Sequence, residues 1–253
     1  YYYKHGPQYY EYLVKSETGT SHSIEEIIHM LDSTLSTTLI NMSNCIRQDS
    51  NISKKLDDYC YIEDDPVKIL DYLKDAIKND FPELPNVECT IKYVHESLQD
   101  YVSPAMYLIP QLDNYSNNCI YINNNPEYDM SQIFTTIAHE GYPGHLYQNV
   151  YFRSRDIHPI RNTLTNLGYE EGWATYAEMY SYSIAGLDSS VAQILKNNMI
   201  ATHCIYSRAD IGIHYEGWTY EQTKDYLSKY ISEGACKIIY QTLLEEPAIY
   251  LPY

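Results

Sequence analysis

The sequence predicts a mainly helical protein with a small β-sheet, an α+β fold. Three observations point there. Apolar residues recur at helical spacing near both ends of the chain, a stretch between about 87 and 123 alternates apolar with polar residues, and no linker-like segment separates them. The chain has 253 residues, enough to bury a core without disulfide staples, and it reads as a single domain.

Each element has a local cause. Ser23 followed by Glu26 forms a capping box, and Ile24, Ile27, Ile28, Leu31 and Leu35 continue at helical spacing into the high 30s. Asp65-Pro66 couples a cap with proline at the first helical position, and Leu70, Leu73 and Ile77 carry that helix towards Phe81-Pro82, so that residues 1–80 read as helical. Val87, Cys89, Ile91 and Tyr93 alternate with polar residues, as a half-buried strand does. Residues 106–109 and 119–122 are short apolar runs between Asn-, Ser- and Pro-rich turns, which completes a small sheet.

From Ser131 the pattern is helical again. One helix holds Ile133, Phe134, Ile137 and Ala138. Another holds Trp173, Ala174, Ala177 and Ile184 and ends at Gly186. A third runs from about 189 to the low 210s. Thr219 with Gln222 caps a fourth, and a last one ends near Glu246-Pro247.

Composition excludes some partners. Asp and Glu number 34 against 17 Lys and Arg, a net charge of −17. Such a surface repels phosphate backbones and anionic membranes, so neither nucleic acid nor a membrane is an expected partner. No apolar run has the roughly 18–20 residues of a membrane span. The six cysteines form no CxxC pair and no disulfide framework, which predicts buried free thiols in a reducing, cytoplasmic compartment. The 30 tyrosines against 3 phenylalanines read as Tyr taking half-buried positions where the ring packs and the hydroxyl stays wet.

Three strings carry candidate chemistry. Residues 139–145 read HEGYPGH, placing His139 beside Glu140 and six residues before His145. On an ideal helix that spacing turns the two histidines about 120° apart. Pro143 and Gly144 predict a break or bulge that could return His145 to His139. A helix that simply stops at Gly141, leaving two surface histidines, is equally compatible with this string.

Residues 170–178 read EEGWATYAE. Glu171, Thr175 and Glu178 share a helical stripe beside apolar Trp173, Ala174 and Ala177. A carboxylate on a core-facing stripe is costly unless paired or metal-bound. Two histidines and a carboxylate with an open fourth position is the ligand pattern of hydrolytic zinc.

Residues 207–218 read SRADIGIHYEGW. Asp210 and His214 stand four apart and can meet, whereas Arg208 and Asp210 cannot share a stripe. His214 and Tyr215 are neutral donors able to stabilise an oxyanion, yet taken alone the string favours a structural Asp–His pair at a helix end. His5, His22, His29, His95, His158 and His203 lack ligand-like neighbours, with His158, before Pro159, the one rival ligand.

In order, the three strings resemble the bacterial domain-of-unknown-function 885 family, through His139 to His145, Glu171 to Ala174 and Gly212 to Trp218. The stretches YYEYLVKSETGT and EEPAIYLPY resemble it too, so the resemblance covers nearly the whole chain. It implies a zincin-like, mostly helical zinc metallopeptidase acting on peptides. His139, His145 and Glu171 would hold the zinc. Glu140 would take a proton from the attacking water, His214 or Tyr215 would steady the oxyanion, and Glu178, Asp210 and Arg208 would stand behind these groups. The run 119–122, if a sheet edge, would hold an extended peptide by main-chain pairing. Many relatives carry a second histidine right after the first string, where this chain has Leu146, leaving His145 as the ligand. Relatives are about twice as long and Tyr1 is no initiator, so the chain is expected to be the later half of a longer protein. A peptide-binding module without turnover and a metal-dependent hydrolase of a non-peptide amide are the alternatives.

Overall fold

A computed structural model describes residues 4–126, 128 and 130–253. The first helices are α1 (Gly6–Thr18), α2 (Ile24–Gln48), α3 (Ile52–Asp58) and α4 (Pro66–Ala76). Three strands follow, β1 (Glu88–Tyr93), β2 (Ala105–Leu108) and β3 (Asn117–Ile122). The chain then returns to helix with α5 (Ile133–Glu140), α6 (His145–Arg153), α7 (Leu167–Ser181), α8 (Ser189–His214), α9 (Tyr220–Leu227) and α10 (Glu233–Glu245). The fold is mainly helical with one small sheet.

The helix starts have the caps that the sequence encodes. Ser23 accepts from the Glu26 amide while Glu26 accepts from the Ser23 amide. Asp65 accepts from the amides of Val67 and Lys68. Thr219 and Gln222 form the second box. Each such cap satisfies amides that the first helical turn leaves without a partner, typically worth about 1 kcal/mol. One helix end differs from expectation: α7 stops at Ser181 instead of running through Ile184 to Gly186. The Ser181 and Ser183 hydroxyls donate to the carbonyls of Glu178 and Tyr180, and such local bonds compete with the helical ladder.

The sheet order is β1-β3-β2, with β1 parallel and β2 antiparallel to β3. The run at 119–122 is therefore the central strand, not an edge. Both its sides are paired, and Ile120 and Ile122 are fully buried. The open edges belong to β1 and β2.

Contacts gather the chain into two compact units, neither continuous in sequence, so no linker marks their boundary. The first comprises Tyr1–Lys54, Asn166–Tyr169 and Gln193–Tyr253. It buries Leu35 with Ile205, Ala209, Leu227 and Leu243, and separately Tyr10 with Val14, Ile24 and Ile211. The second comprises Lys55–Thr165 and Glu170–Ala192. Its core joins Ile69 and Leu73 of α4, Ile120 and Ile122 of β3, Phe134 and Ile137 of α5, and Leu146 and Val150 of α6. Burying one such side chain stabilises by about 1.5–3 kcal/mol, and here it also fixes the rotation of α5 and α6. All six cysteines are free, but only Cys204 and Cys236 are buried as expected; Cys45, Cys89 and Cys119 are half-buried and Cys60 is exposed. Among the described residues no helix is long and apolar enough to cross a membrane.

Candidate metal centre

The centre lies wholly within the second unit. Ile133, Phe134, Ile137 and Ala138 anchor α5, so its end presents His139 and Glu140 at a fixed place. The helix then breaks. The Gly141 amide closes the last turn onto Ile137, and the Gly144 amide reaches back 3.0 Å to the Ala138 carbonyl. The Tyr142–Pro143 peptide between them is cis. A Cβ on Gly144 would stand only 1.7 Å from the His139 carbonyl oxygen, so only glycine admits this close return. A new helix starts at His145. The two imidazole centroids end 4.8 Å apart with the rings at 82°. Leu146, the residue after His145, is fully buried in the core.

Helix α7 adds the carboxylate. Glu171 Oε2 stands 3.5 Å from His139 Nε2 and 3.5 Å from His145 Nε2. It is shut off from solvent and accepts no hydrogen bond, so these are ion-pair contacts rather than aligned hydrogen bonds. Two turns along α7, Glu178 Oε2 meets the other ring nitrogen of His139, Nδ1, at 3.2 Å. Thr175 lies between the two glutamates in sequence, is 3% exposed, and its hydroxyl also lacks a hydrogen-bond partner.

The donors fit a tetrahedral cation. His139, His145 and Glu171 each offer one ligand atom, all within 4.8 Å of one another, and no other such group of His, Cys, Asp or Glu occurs among the described residues. Ligands held at about 2.0–2.2 Å around zinc lie roughly 3.3–3.5 Å apart, the separation that Glu171 Oε2 keeps from both imidazoles. The buried, unbonded oxygen is the atom such an ion would satisfy. Two imidazoles and one carboxylate favour zinc among divalent ions over magnesium or calcium.

Electrostatics follow the same logic. Burial disfavours a charge on His139, but Glu171, Glu178 and Glu140 outweigh it and push the imidazole up to about 10. Burial likewise disfavours the Glu171 anion, yet the two imidazoles hold its carboxyl well below the usual range. The cluster thus keeps positive charge on an imidazole in the way a bound cation would supply it. Glu140 is pushed upward by burial, opposed by His139 and His145 and by the Tyr107 amide, which donates to its Oε2 at 2.7 Å. That amide belongs to β2 and points off the sheet. As a main-chain group it leaves no mark in the side-chain pattern, so sequence reasoning does not find it.

The third string lies in the first unit, where most of its polar groups have partners, although Asp210 Oδ1 and Arg208 Nη1 are buried without a hydrogen bond. His214 Nε2 donates to the Leu243 carbonyl at 2.7 Å, and its ring stacks on Tyr10. The Tyr215 hydroxyl is shared between Glu11 and Glu25 at 3.2 and 3.1 Å. Asp210 accepts from the Tyr10 hydroxyl at 2.5 Å and the Ala248 amide at 2.8 Å, and its Oδ1 lies 3.5 Å from His214. Arg208 pairs with both oxygens of Glu216 and lies over Trp218. Trp218 in turn rests on Gly212, where a Cβ would meet the indole at 2.3 Å, after a turn through Gly217 at φ 75°. The residues expected as oxyanion donors and as groups behind the ligands thus make their hydrogen bonds within the first unit, with Asp210 and His214 forming an Asp–His pair at the end of α8. His158, the rival ligand, caps the short helix at 159–163 by accepting from the Ile160 amide.

Fold and site together define a helical α+β protein with, among the described residues, one half-buried His-His-Glu cluster. Over residues 3–237 the chain matches, and belongs to, the family described as "Bacterial protein of unknown function (DUF885)". No curated protein matches it in sequence. Its fold is similar to the crystal structure of a "putative lipoprotein" from Colwellia psychrerythraea, at 20% identity and TM-score 0.77, covering 98% of this chain and 47% of that one. It is also similar to a "putative lipoprotein of unknown function" from Shewanella oneidensis, at 14% identity and TM-score 0.72, covering 97% and 50%. The chain thus spans about half the length of these two structures.

Proposed function

We propose that the chain is the catalytic region of a zinc-dependent, zincin-like peptidase. The observation that carries this reading is the convergence of His139, His145 and Glu171 around one unbonded, buried carboxylate oxygen, with Glu140 directly after His139. Bound zinc would polarise the attacking water and the scissile carbonyl. Glu140 would accept the water's proton as its oxygen adds to the carbonyl carbon, then pass that proton to the departing amine. Burial pushes the Glu140 carboxyl up from the usual carboxylate range, the direction that makes it a better proton acceptor. Glu178 would hold His139 through Nδ1 so that Nε2 faces the metal. Peptides are favoured as substrates because the Tyr107 amide on the β2 edge points to Glu140, and an extended chain pairs naturally with such an edge.

The test measures zinc content and digests a peptide mixture, read by mass spectrometry, with wild type and Glu140→Gln. Zinc in both proteins and cleavage only by wild type support the proposal. Zinc without cleavage of any peptide would favour hydrolysis of another amide, and neither zinc nor cleavage a binding module. Six free cysteines support a reducing compartment, whereas the neighbours' description as lipoproteins favours the cell envelope. Blotting of fractionated cells decides between them.

A further inference from the structure

The hydrogen bond between the Trp173 indole N–H and the Pro143 carbonyl, at 2.7 Å, joins two of the three strings. Pro143 lies in the turn that separates His139 from His145, and Trp173 stands two residues after Glu171 on the same helix. We propose that Trp173 is a positioning residue for the metal centre: its indole clamps the 141–144 turn so that His145 stays beside His139 and Glu171. This rests on the metal reading above and adds to it a residue that touches none of the ligands in the bonds described.

The turn needs such a hold. Its backbone folds tightly enough that a Cβ at Gly144 would overlap the His139 carbonyl, and glycine also gives the chain freedom to leave that conformation. The Gly144-to-Ala138 and Tyr147-to-Gly141 amide bonds hold its two sides. The Pro143 carbonyl lies at its tip, and the indole supplies its donor. The indole itself is rigidly seated. It stacks on Tyr147 at 6.2 Å and 13°, and Phe81 meets it edge-on at 6.2 Å. Tyr147 is in turn tied by its hydroxyl to the Pro82 carbonyl at 2.6 Å. The helix that supplies the carboxylate ligand therefore also grips the turn that sets the spacing of the two imidazoles. Groups that orient metal ligands from outside typically change affinity by roughly 10–100-fold when removed.

The experiment measures zinc affinity by chelator competition, and the visible spectrum of the cobalt-substituted protein, for wild type, Trp173→Phe and Phe81→Leu. The first variant keeps an aromatic ring but loses the N–H. The second trims the same aromatic packing and leaves the bond intact. Trp173→Phe is expected to weaken zinc binding about 10-fold and to alter the cobalt spectrum per bound ion, with Phe81→Leu close to wild type. Replacing Trp173 by its benzothienyl analogue, which keeps the ring shape and lacks only the N–H, should reproduce the Trp173→Phe result and serves if that variant folds poorly. Wild-type affinity and spectrum in the benzothienyl protein overturn the proposal. Absence of zinc from wild type overturns the metal reading itself, a different outcome from zinc that binds equally well with and without the N–H.

Discussion

In the unit that holds His139 and His145 a half-buried carboxylate is kept charged, whereas in the other unit a fully buried carboxylate is driven towards neutrality. Glu171 faces two imidazoles, which hold its carboxyl below the usual range. Asp210 has one imidazole at 3.5 Å, already donating elsewhere, and burial raises its carboxyl to about 7 despite bonds from Tyr10 and Ala248. Both are histidine–carboxylate clusters on helices. What separates a candidate metal site from a structural pair is the fate of the lone pairs. At Glu171 and the two Nε2 atoms they converge. At Asp210 one oxygen accepts from Tyr10 and the Ala248 amide, and the other, though unbonded, faces a single imidazole whose Nε2 already donates to Leu243, so no second ligand atom converges there.

The largest expected effect is on metal content. His139→Ala or Glu171→Ala should reduce bound zinc to background by elemental analysis, whereas Asp210→Ala, if folded, should keep it. Equal zinc in all of them would erase the distinction between the clusters.

Gly144→Ala comes next. With the His139 carbonyl only 1.7 Å from the new methyl, the turn must open. Destabilisation of about 3 kcal/mol or more is expected in denaturant titrations, since steric overlap with backbone has no cheap escape. Zinc binding should fall with it. Unchanged stability would mean that the turn tolerates another path and does not set the imidazole spacing.

The pH dependence of stability sharpens the other side. Because the folded-state value for Asp210 is raised, its stabilising contribution is complete below the unfolded value of about 4 and is lost as pH rises through about 7. Asp210→Asn keeps an acceptor for Tyr10 and the Ala248 amide but has nothing to titrate. The melting temperature of the variant relative to wild type should therefore rise between pH 4 and pH 7. A constant offset across that range would show that Asp210 is ionised throughout.

The smallest effect concerns Ala248, which sits at φ 68° with its amide on Asp210. Glycine adopts that conformation without the Cβ penalty, so Ala248→Gly should change stability by no more than about 1 kcal/mol in either direction, strain relief offsetting the lost buried methyl and the added chain entropy. A loss well beyond that, in a melting experiment, would mean that the alanine methyl is a packing element of the first unit.

Much of this protein is legible in its sequence because the relevant physics is local. Capping boxes at Ser23 and Thr219, the Asp65-Pro66 start and the alternation from Val87 act within a few residues, so helix starts and sheet can be read from the order of residues alone. The residue types of the candidate metal centre are legible for the same reason: Pro143 and Gly144 announce a broken helix, and a carboxylate among Trp173, Ala174 and Ala177 announces a charge needing a partner. Tertiary structure alone decided the rest. That β3 is central depends on pairing with both β1 and β2, which no single run encodes. That His214 and Tyr215 are engaged depends on Leu243, Glu11 and Glu25, up to 204 residues away along the chain. Local pattern specifies which groups a segment offers. Which of them remain open for chemistry is settled by the hydrogen bonds and packing that distant segments make, since a buried polar group takes whichever partner the fold brings to it.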